Sequence, residues 1–214
     1  MGDDAARPSF EFLGTIQPIV LVGGKSTRFG RDKLREPIGD SGELLVQRPI
    51  NALRAIFGKR VKLVGECHPT IVALADGVIP DEHTGAGPIG GIVSALRASG
   101  SSVFVLAGDM PGVSPREVSR MVAVAESSRG WMAVLALSDR VHPCAGIYSQ
   151  ESLPILYDRL KRGEHGLGAA LPTGGWVPVT VPPDFAANVN SPDDLCHRAQ
   201  PLRGAAPSRG FEAR

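Results

Sequence analysis

The segment from Ile19 to Lys33 (IVLVGGKSTRFGRDK) constrains the fold of this chain more than any other. An apolar run suited to a buried β-strand ends at Gly23 and Gly24, and the eleven residues 23–33 contain three glycines and four cationic side chains. Glycine lets the backbone approach a ligand closely and turn its N–H groups toward it, while cations neutralise negative charge. A strand that runs into a basic, glycine-rich turn therefore predicts an anion-binding loop at the end of that strand.

Two common phosphate-binding loops do not fit this segment. Gly24-Lys25-Ser26 is similar to the end of a Walker A loop, but that motif needs a glycine five positions before its last glycine, and position 19 is Ile. The dinucleotide fingerprint G-x-G-x-x-G is also absent, because Gly23 and Gly24 are adjacent and the next glycine is Gly30. The spacing thus indicates a different kind of nucleotide loop.

The pattern along the chain predicts an α/β protein. Short apolar runs alternate with helical patterns from residue 16 onward, which predicts a three-layer α/β/α fold with a mostly parallel, Rossmann-like sheet. We expect one domain over residues 16–200 and flexible tails at 1–15 and 201–214, where no apolar pattern is visible. Ligands of such sheets bind outside the carboxyl ends of the strands.

Bulk composition excludes several classes of protein. The formal net charge of +1 gives no overall field that would recruit nucleic acid or a membrane, so neither is expected as a partner. No apolar run approaches the roughly 20 residues of a membrane span, and the first residues lack the order of a secretory signal. The three cysteines form no C-x-x-C pair. We expect a cytoplasmic protein with reduced thiols and a small anionic ligand.

Two acidic residues follow predicted strands. Asp109 follows the apolar run 102–107 after one glycine, and its carboxylate there could hold Mg²⁺, a cation that takes one or two carboxylates together with phosphate oxygens. The alternative is that Asp109 only caps the turn before Pro111. Asp81 ends the run Val78-Ile-Pro-Asp and precedes a glycine-rich turn, which makes it a second candidate.

The loop Gly-Gly-x-Ser-x-Arg-Phe-Gly-x-Asp-Lys at 23–33 resembles that of the nucleotidyltransferases that activate sugars, cytidyl alcohols and molybdopterin. Its Gly-Gly form, closed by Lys33, is most similar to the molybdenum cofactor guanylyltransferase family, and the resemblance runs from about Ile16 to about Leu195. It implies the fold of the nucleotide-diphospho-sugar transferases. It also implies Mg²⁺-dependent transfer of GMP from GTP to molybdenum-bound molybdopterin, with release of pyrophosphate.

The resemblance also implies roles for individual residues. Arg28 would bind two phosphate oxygens through its guanidinium group, and Lys33 would act as a point charge. Both are therefore catalytic candidates, together with Asp109 as the metal ligand. His142, Asn188 and Asn190 would bind the acceptor through hydrogen bonds that carry no fixed charge; Asn190 is equally suited to capping a last helix. The nucleotide-binding set comprises Leu21, Val22, Gly23, Gly24, Lys33, Asp81 and Asp109.

Two features leave alternatives open. The second strand leads into Gly65-Glu66-Cys67-His68, where relatives usually offer Asn, so one nucleotide contact is unassigned. Gly23 and Gly24 favour a purine, since cytidylyl relatives commonly carry Ala-Ala-Gly. A cytidylyl- or sugar-nucleotidyltransferase on the same fold is the alternative enzyme. A non-catalytic module that binds nucleotide and delivers cofactor to a molybdoenzyme is the alternative from another class.

Overall fold

The protein is built around a central sheet that is covered by helices on both faces. The computed structural model describes residues 8–23, 32–39, 42–168, 174–191 and 194; the rest of the chain, which includes Gly24 and Arg28, lies outside the described residues. The strands are β1 Ile16–Leu21, β2 Pro37–Ile38, β3 Glu43–Leu44, β4 Lys62–Val64, β5 Val78–Ile79, β6 Ser102–Ala107, β7 Ala133–Leu137, β8 Val141–Tyr148 and β9 Trp176–Thr180. The helices are α1 Phe10–Gly14, α2 Gln47–Phe57, α3 Pro69–Val72, α4 Pro88–Ser99, α5 Pro115–Ser127 and α6 Leu153–Lys161.

The central sheet has seven strands in the order β5-β4-β1-β6-β8-β7-β9. All neighbours pair in parallel except β8, which is antiparallel to both β6 and β7. Six strands therefore end at one side of the sheet, here called the carboxyl end, and β8 begins there. The prediction of a mostly parallel sheet is confirmed. A separate two-stranded hairpin is formed by β2 and β3.

Two apolar clusters lie on opposite faces of the sheet and make the fold three-layered. Successive residues of a strand point to opposite faces, and Val20 and Ile19 accordingly belong to different clusters. The cluster that contains Val20 packs under α2 and α5, whereas the cluster that contains Ile19 packs under α4 and α6. The predicted α/β/α layering is thus confirmed.

Local sequence signals account for where the helices start. Ser114 caps α5 by accepting a hydrogen bond from the backbone N–H of Glu117, and Pro115 occupies the first helical position, where its missing N–H costs nothing. The sequence predicts a short helix over residues 71–75, but α3 begins earlier, at Pro69, because the side chain of His68 caps it by accepting from Thr70 N. Among the described residues, no helix is long and apolar enough to cross a membrane.

Two predicted boundaries differ from the structure. Residues 10–14, predicted to belong to a flexible tail, form α1, which Ser9 caps and which packs Phe12 and Leu13 on the core. Five residues are too few for a helical pattern to show in the sequence. The sequence predicts strands over 132–137 and 145–148 with His142 between them, but His142 is the second residue of β8, because pairing with β7 continues to Val141 beyond an irregularity in the ladder.

Candidate active site

Lys33 and Asp109 meet at the carboxyl end of the sheet. Lys33 Nζ donates to Asp109 Oδ2 at 2.5 Å and to the backbone oxygen of Val189 at 3.1 Å. The backbone N–H of Val189 in turn donates to the backbone oxygen of Asp109 at 2.9 Å. Three segments that are far apart in the chain therefore converge on one cation and one carboxylate.

The backbone around Lys33 is fixed by its neighbours. Asp32 accepts from the backbone N–H of Leu34 at 3.2 Å and so caps a single 3₁₀ turn over Lys33–Arg35. Leu34 is buried and packs so closely on Gly108 that a Cβ there would lie 3.1 Å from the leucine side chain. Because Gly108 directly precedes Asp109, this contact sets the separation of the two charged side chains.

The ion pair is partly shielded from solvent. The side chains of Lys33 and Asp109 are 21% and 13% exposed. Partial burial reduces screening by water and strengthens the interaction of each charge with a ligand that enters the site. An anionic phosphate can therefore bind Lys33, while Asp109 remains available to a cation.

The start of the glycine loop lies beside this pair. Leu21 accepts from the backbone N–H of Gly108 at 2.9 Å, and Val22 donates to the backbone oxygen of Val64 at 3.0 Å. Gly23 touches Gly65: a Cβ on Gly65, whose φ is +104°, would lie 2.8 Å from the Cα and N of Gly23. The structure thus brings three predicted nucleotide-binding residues to the carboxyl end. Two other predicted residues, Gly24 and Arg28, lie outside the described residues.

Asp81 follows β5 and shapes the turn toward α4. Its Oδ1 accepts from the backbone N–H of His83 at 2.9 Å and from the hydroxyl of Ser94 at 3.3 Å. One carboxylate oxygen is therefore committed to the protein, and the other has no hydrogen-bond or ion-pair partner among the described residues. This position is compatible with the predicted contact to nucleotide.

A cavity of about 470 Å³ opens at the ends of β4 and β5, beside Asp81. No sequence motif predicts this cavity, since its walls come from two strand ends and a helix that share no motif. The one sequence feature that pointed to this region was the departure at residues 65–68 from the pattern of the guanylyltransferase family that the chain resembles. Its lining comprises Gly65, Glu66, Cys67, Val72, Val78, Pro80, Asp81 and Thr84.

His142 lies at the same end of the sheet, on the other side of Asp109. Its Nε2 is 2.7 Å from the hydroxyl of Ser138, which donates to Asp139 Oδ1 at 2.7 Å. Since a hydroxyl carries one proton, Ser138 accepts from His142 Nε2–H, and Nδ1 is left as an acceptor. Burial, helped by the charge of Arg140, lowers the pKa of His142, so the ring is neutral near pH 7.

The predicted acceptor residues Asn188 and Asn190 flank Val189 and are exposed. Within the described part of the chain, neither side chain makes a hydrogen bond, so both are available to a ligand. The backbone N–H of Asn190 donates to Asp194 Oδ2 at 2.8 Å. The described residues do not include a helix that the side chain of Asn190 would cap.

Neither described cysteine is suited to nucleophilic catalysis. Burial, with a contribution from the charge of Asp109, raises the pKa of Cys144 to about 12, so its thiol stays protonated. Burial, and to a smaller extent the charge of Asp32, also raises the pKa of Cys67.

The donor set around Asp109 fits a metal that arrives with a substrate. Within residues 8–23, 32–39, 42–168, 174–191 and 194, no group of three His, Cys, Asp or Glu side chains could hold a metal ion. Asp109 offers a single carboxylate, and Mg²⁺ in nucleotide sites typically takes one or two carboxylates, phosphate oxygens and water. A nucleotide-borne Mg²⁺ therefore suits this site better than a resident metal would.

The fold has three layers, and the first strand of its sheet leads into a glycine loop. A lysine and an aspartate pair at the carboxyl end of the sheet. These features together define a class of nucleotide-binding proteins. A solved structure of molybdopterin-guanine dinucleotide biosynthesis protein A from Archaeoglobus fulgidus superposes with a TM-score of 0.68 and 25% identity, covering 85% of this chain and 96% of that one. The profile of the MobA-like NTP transferase domain matches residues 18–174. The chain belongs to this family, as the sequence predicted.

Curated relatives agree with this assignment. A probable molybdenum cofactor guanylyltransferase of Aquifex aeolicus is 32% identical over 180 residues, which cover 82% of this chain and 86% of the relative. Another, from Pyrococcus horikoshii, is 35% identical over 187 residues, with 82% and 95% covered. The similarity therefore spans nearly the full length of both relatives.

Proposed function

We propose that this protein transfers GMP from GTP to molybdenum-bound molybdopterin, which yields the guanine dinucleotide cofactor and pyrophosphate. The observation that carries the proposal is the pair of Lys33 and Asp109, tied to Val189 at 3.1 Å from Lys33 Nζ. This pair links the glycine loop to the segment that carries Asn188 and Asn190. The similarity to probable molybdenum cofactor guanylyltransferases supports the same activity.

The reaction needs positioning and charge stabilisation from the protein. An oxygen of the terminal phosphate of molybdopterin attacks the α-phosphorus of GTP, a new P–O bond forms, and the bond to the bridging oxygen breaks. The electron pair of that bond leaves with pyrophosphate. Lys33 stabilises the charge that develops on the phosphate oxygens, and the carbonyl of Val189 holds its ammonium group in place. The attacking phosphate is already anionic, so no protein nucleophile is required.

Asp109 is the residue that would hold Mg²⁺ together with the phosphates of the nucleotide. When bound, the ion supplies Lewis-acid stabilisation of the phosphate oxygens and the leaving pyrophosphate. With a metal held by Asp109, Lys33 Nζ would be free of Asp109 Oδ2 and would be able to contact phosphate.

The acceptor binds on the side of His142, Asn188 and Asn190. A pterin offers ring nitrogens, an amino group and a carbonyl, and these match neutral donors and acceptors better than fixed charges. The unprotonated Nδ1 of His142 accepts, whereas each asparagine amide both donates and accepts. All three residues belong to segments that reach the carboxyl end of the sheet.

Pyrophosphate release tests the proposal and its alternatives. The purified protein is mixed with Mg²⁺ and molybdenum-bound molybdopterin, and then with GTP, CTP or ATP. We expect pyrophosphate and a guanine dinucleotide, identified by mass, only when GTP and the acceptor are both present. A preference for CTP would overturn the guanine assignment, and GTP binding without pyrophosphate release would favour the delivery module.

A further inference from the structure

The cavity beside Asp81 has exposed apolar walls. Phe10, Val72 and Val78 are the large apolar side chains exposed among the described residues, and two of them, Val72 at 40% and Val78 at 44%, line this cavity. Pro80 adds a third apolar surface. Exposed apolar surface in a concave site favours a ligand with flat apolar faces, such as a nucleobase.

The start of the glycine loop borders the cavity. Gly65 in the cavity wall touches Gly23, the first residue of the loop. Because β4 is the neighbour of β1, the cavity begins about one strand spacing, or about 4.8 Å, from the strand that leads into the loop. A base in this cavity can therefore be joined to phosphates at Lys33.

Glu66 brings to this cavity a carboxylate whose two oxygens are both unpaired among the described residues. It is exposed, and its carboxylate has no hydrogen-bond or ion-pair partner within the part of the chain that the structure describes. Asp81 in the same wall has one oxygen committed to His83 and Ser94, and Cys67 remains protonated. A free carboxylate next to a triphosphate site is unfavourable unless the ligand brings donors to it.

We propose that Glu66 selects guanine by accepting two hydrogen bonds, one from N1–H and one from the 2-amino group. Guanine presents these two donors side by side, which a carboxylate can accept with both oxygens. Cytosine and adenine each present a single amino group next to a ring nitrogen acceptor, which repels the second oxygen. This inference rests on the proposed function and names the residue that discriminates the base.

Glu66 is also the first residue after β4 whose side chain lines the cavity. Gly65, the residue before it, has no side chain and packs against Gly23. The chain that leaves β4 therefore presents Glu66 to the cavity first.

Base analogues test this role. Dissociation constants of GTP, ITP, XTP and CTP are measured by calorimetry for the wild-type protein and for Glu66→Gln. ITP lacks the 2-amino group, so the wild-type protein should bind it roughly 10- to 100-fold more weakly than GTP, the loss of one charge-assisted hydrogen bond. Glu66→Gln should lose most of this preference and should gain affinity for XTP, whose 2-oxo group accepts from the glutamine amide. Glu82→Gln, which removes a nearby exposed charge outside the cavity, should retain the wild-type ratios.

The outcomes separate this inference from the proposed function. If Glu66→Gln keeps the wild-type ratios of GTP to ITP and of GTP to CTP within about twofold, Glu66 does not read the base, whatever the overall activity. If the wild-type protein binds ITP as tightly as GTP, the inference fails in the same way. If it binds CTP more tightly than GTP, the guanine assignment of the proposed function fails as well.

Discussion

Replacing Lys33 with methionine separates the structural role of this residue from its catalytic role. Methionine keeps the length and the apolar stem of the side chain but removes the ammonium group that lies 2.5 Å from Asp109 Oδ2. The substitution leaves Asp109 with a carboxylate that is 13% exposed and has lost its partner. The variant Lys33→Met/Asp109→Asn removes that unpaired charge as well.

The expected change in stability follows from the degree of burial. Removing one partner costs about 3–5 kcal/mol in a fully buried ion pair, and exposed pairs contribute about 0–1 kcal/mol. For a pair that is 21% and 13% exposed, we expect a loss of about 1–3 kcal/mol. In a chain of this length, each kcal/mol lowers the melting temperature by about 2–4 °C. The double variant should recover part of this loss, because no unpaired charge remains.

The catalytic activity of the single and double variants should not follow their stability. Removal of one preorganised group that stabilises transition-state charge typically lowers turnover by about 10²–10³, and the double variant lacks both that group and the proposed metal ligand. Thermal unfolding without nucleotide and pyrophosphate release with GTP and acceptor measure the two properties separately. Lys59→Met, which removes an exposed lysine elsewhere, is the control. A Lys33→Met protein with turnover within about threefold of wild type, or a double variant that regains activity along with stability, would refute the assignment.

Three further predictions concern other parts of the site. Gly65→Ala should lower stability by about 2–4 kcal/mol and weaken GTP binding in calorimetry, because φ is +104° and the added Cβ would lie 2.8 Å from the backbone of Gly23. Ser138→Ala should raise the KM for the acceptor roughly tenfold by releasing His142, with an unchanged Kd for GTP; equal effects on both constants would contradict this. Stability should fall above about pH 9, by about 1.4 kcal/mol per pH unit, because Cys144 stays protonated to about pH 12 when folded but ionises near 9.0 when unfolded. In urea titrations, Cys144→Ala should make this slope shallower by that amount and leave the contributions of Cys67 and Tyr148, whose pKa values burial also raises.

The sequence predicts those parts of the site that depend on local pattern. The run before Gly23 and the run before Asp109 each read as a buried strand, and parallel strands place their carboxyl ends together, so the meeting of Lys33 and Asp109 was predictable. Helix starts with a strong local signal, such as Ser114 before α5, were predictable for the same reason. Each of these signals is read from residues that are neighbours in the sequence.

Contacts through the backbone and between distant segments left no such signal. Val189 binds Lys33 through its carbonyl oxygen across 156 residues of chain, and any residue type could supply that atom. The cavity wall combines Gly65, which follows β4, with Val72 of α3 and Val78 of β5, and these residues match no motif. Helix α1 depends on contacts of Phe12 with the core rather than on a repeating pattern.

The single reversed strand explains how donor and acceptor can meet. If β8 ran parallel to its neighbours, its second residue, His142, would lie at the opposite end of the sheet from Asp109. Because β8 is antiparallel to β6, its start lies at the carboxyl end, next to the strand that leads into Asp109.

The order β4-β1-β6-β8 places four parts of the site in a row along the carboxyl end of the sheet. They are the cavity beside Asp81, the glycine loop, Asp109 and His142. Three strand spacings of about 4.8 Å give this row a length of about 14 Å. Asp109 follows the strand between the donor side and the acceptor side, so its position allows one carboxylate to act where the two substrates react.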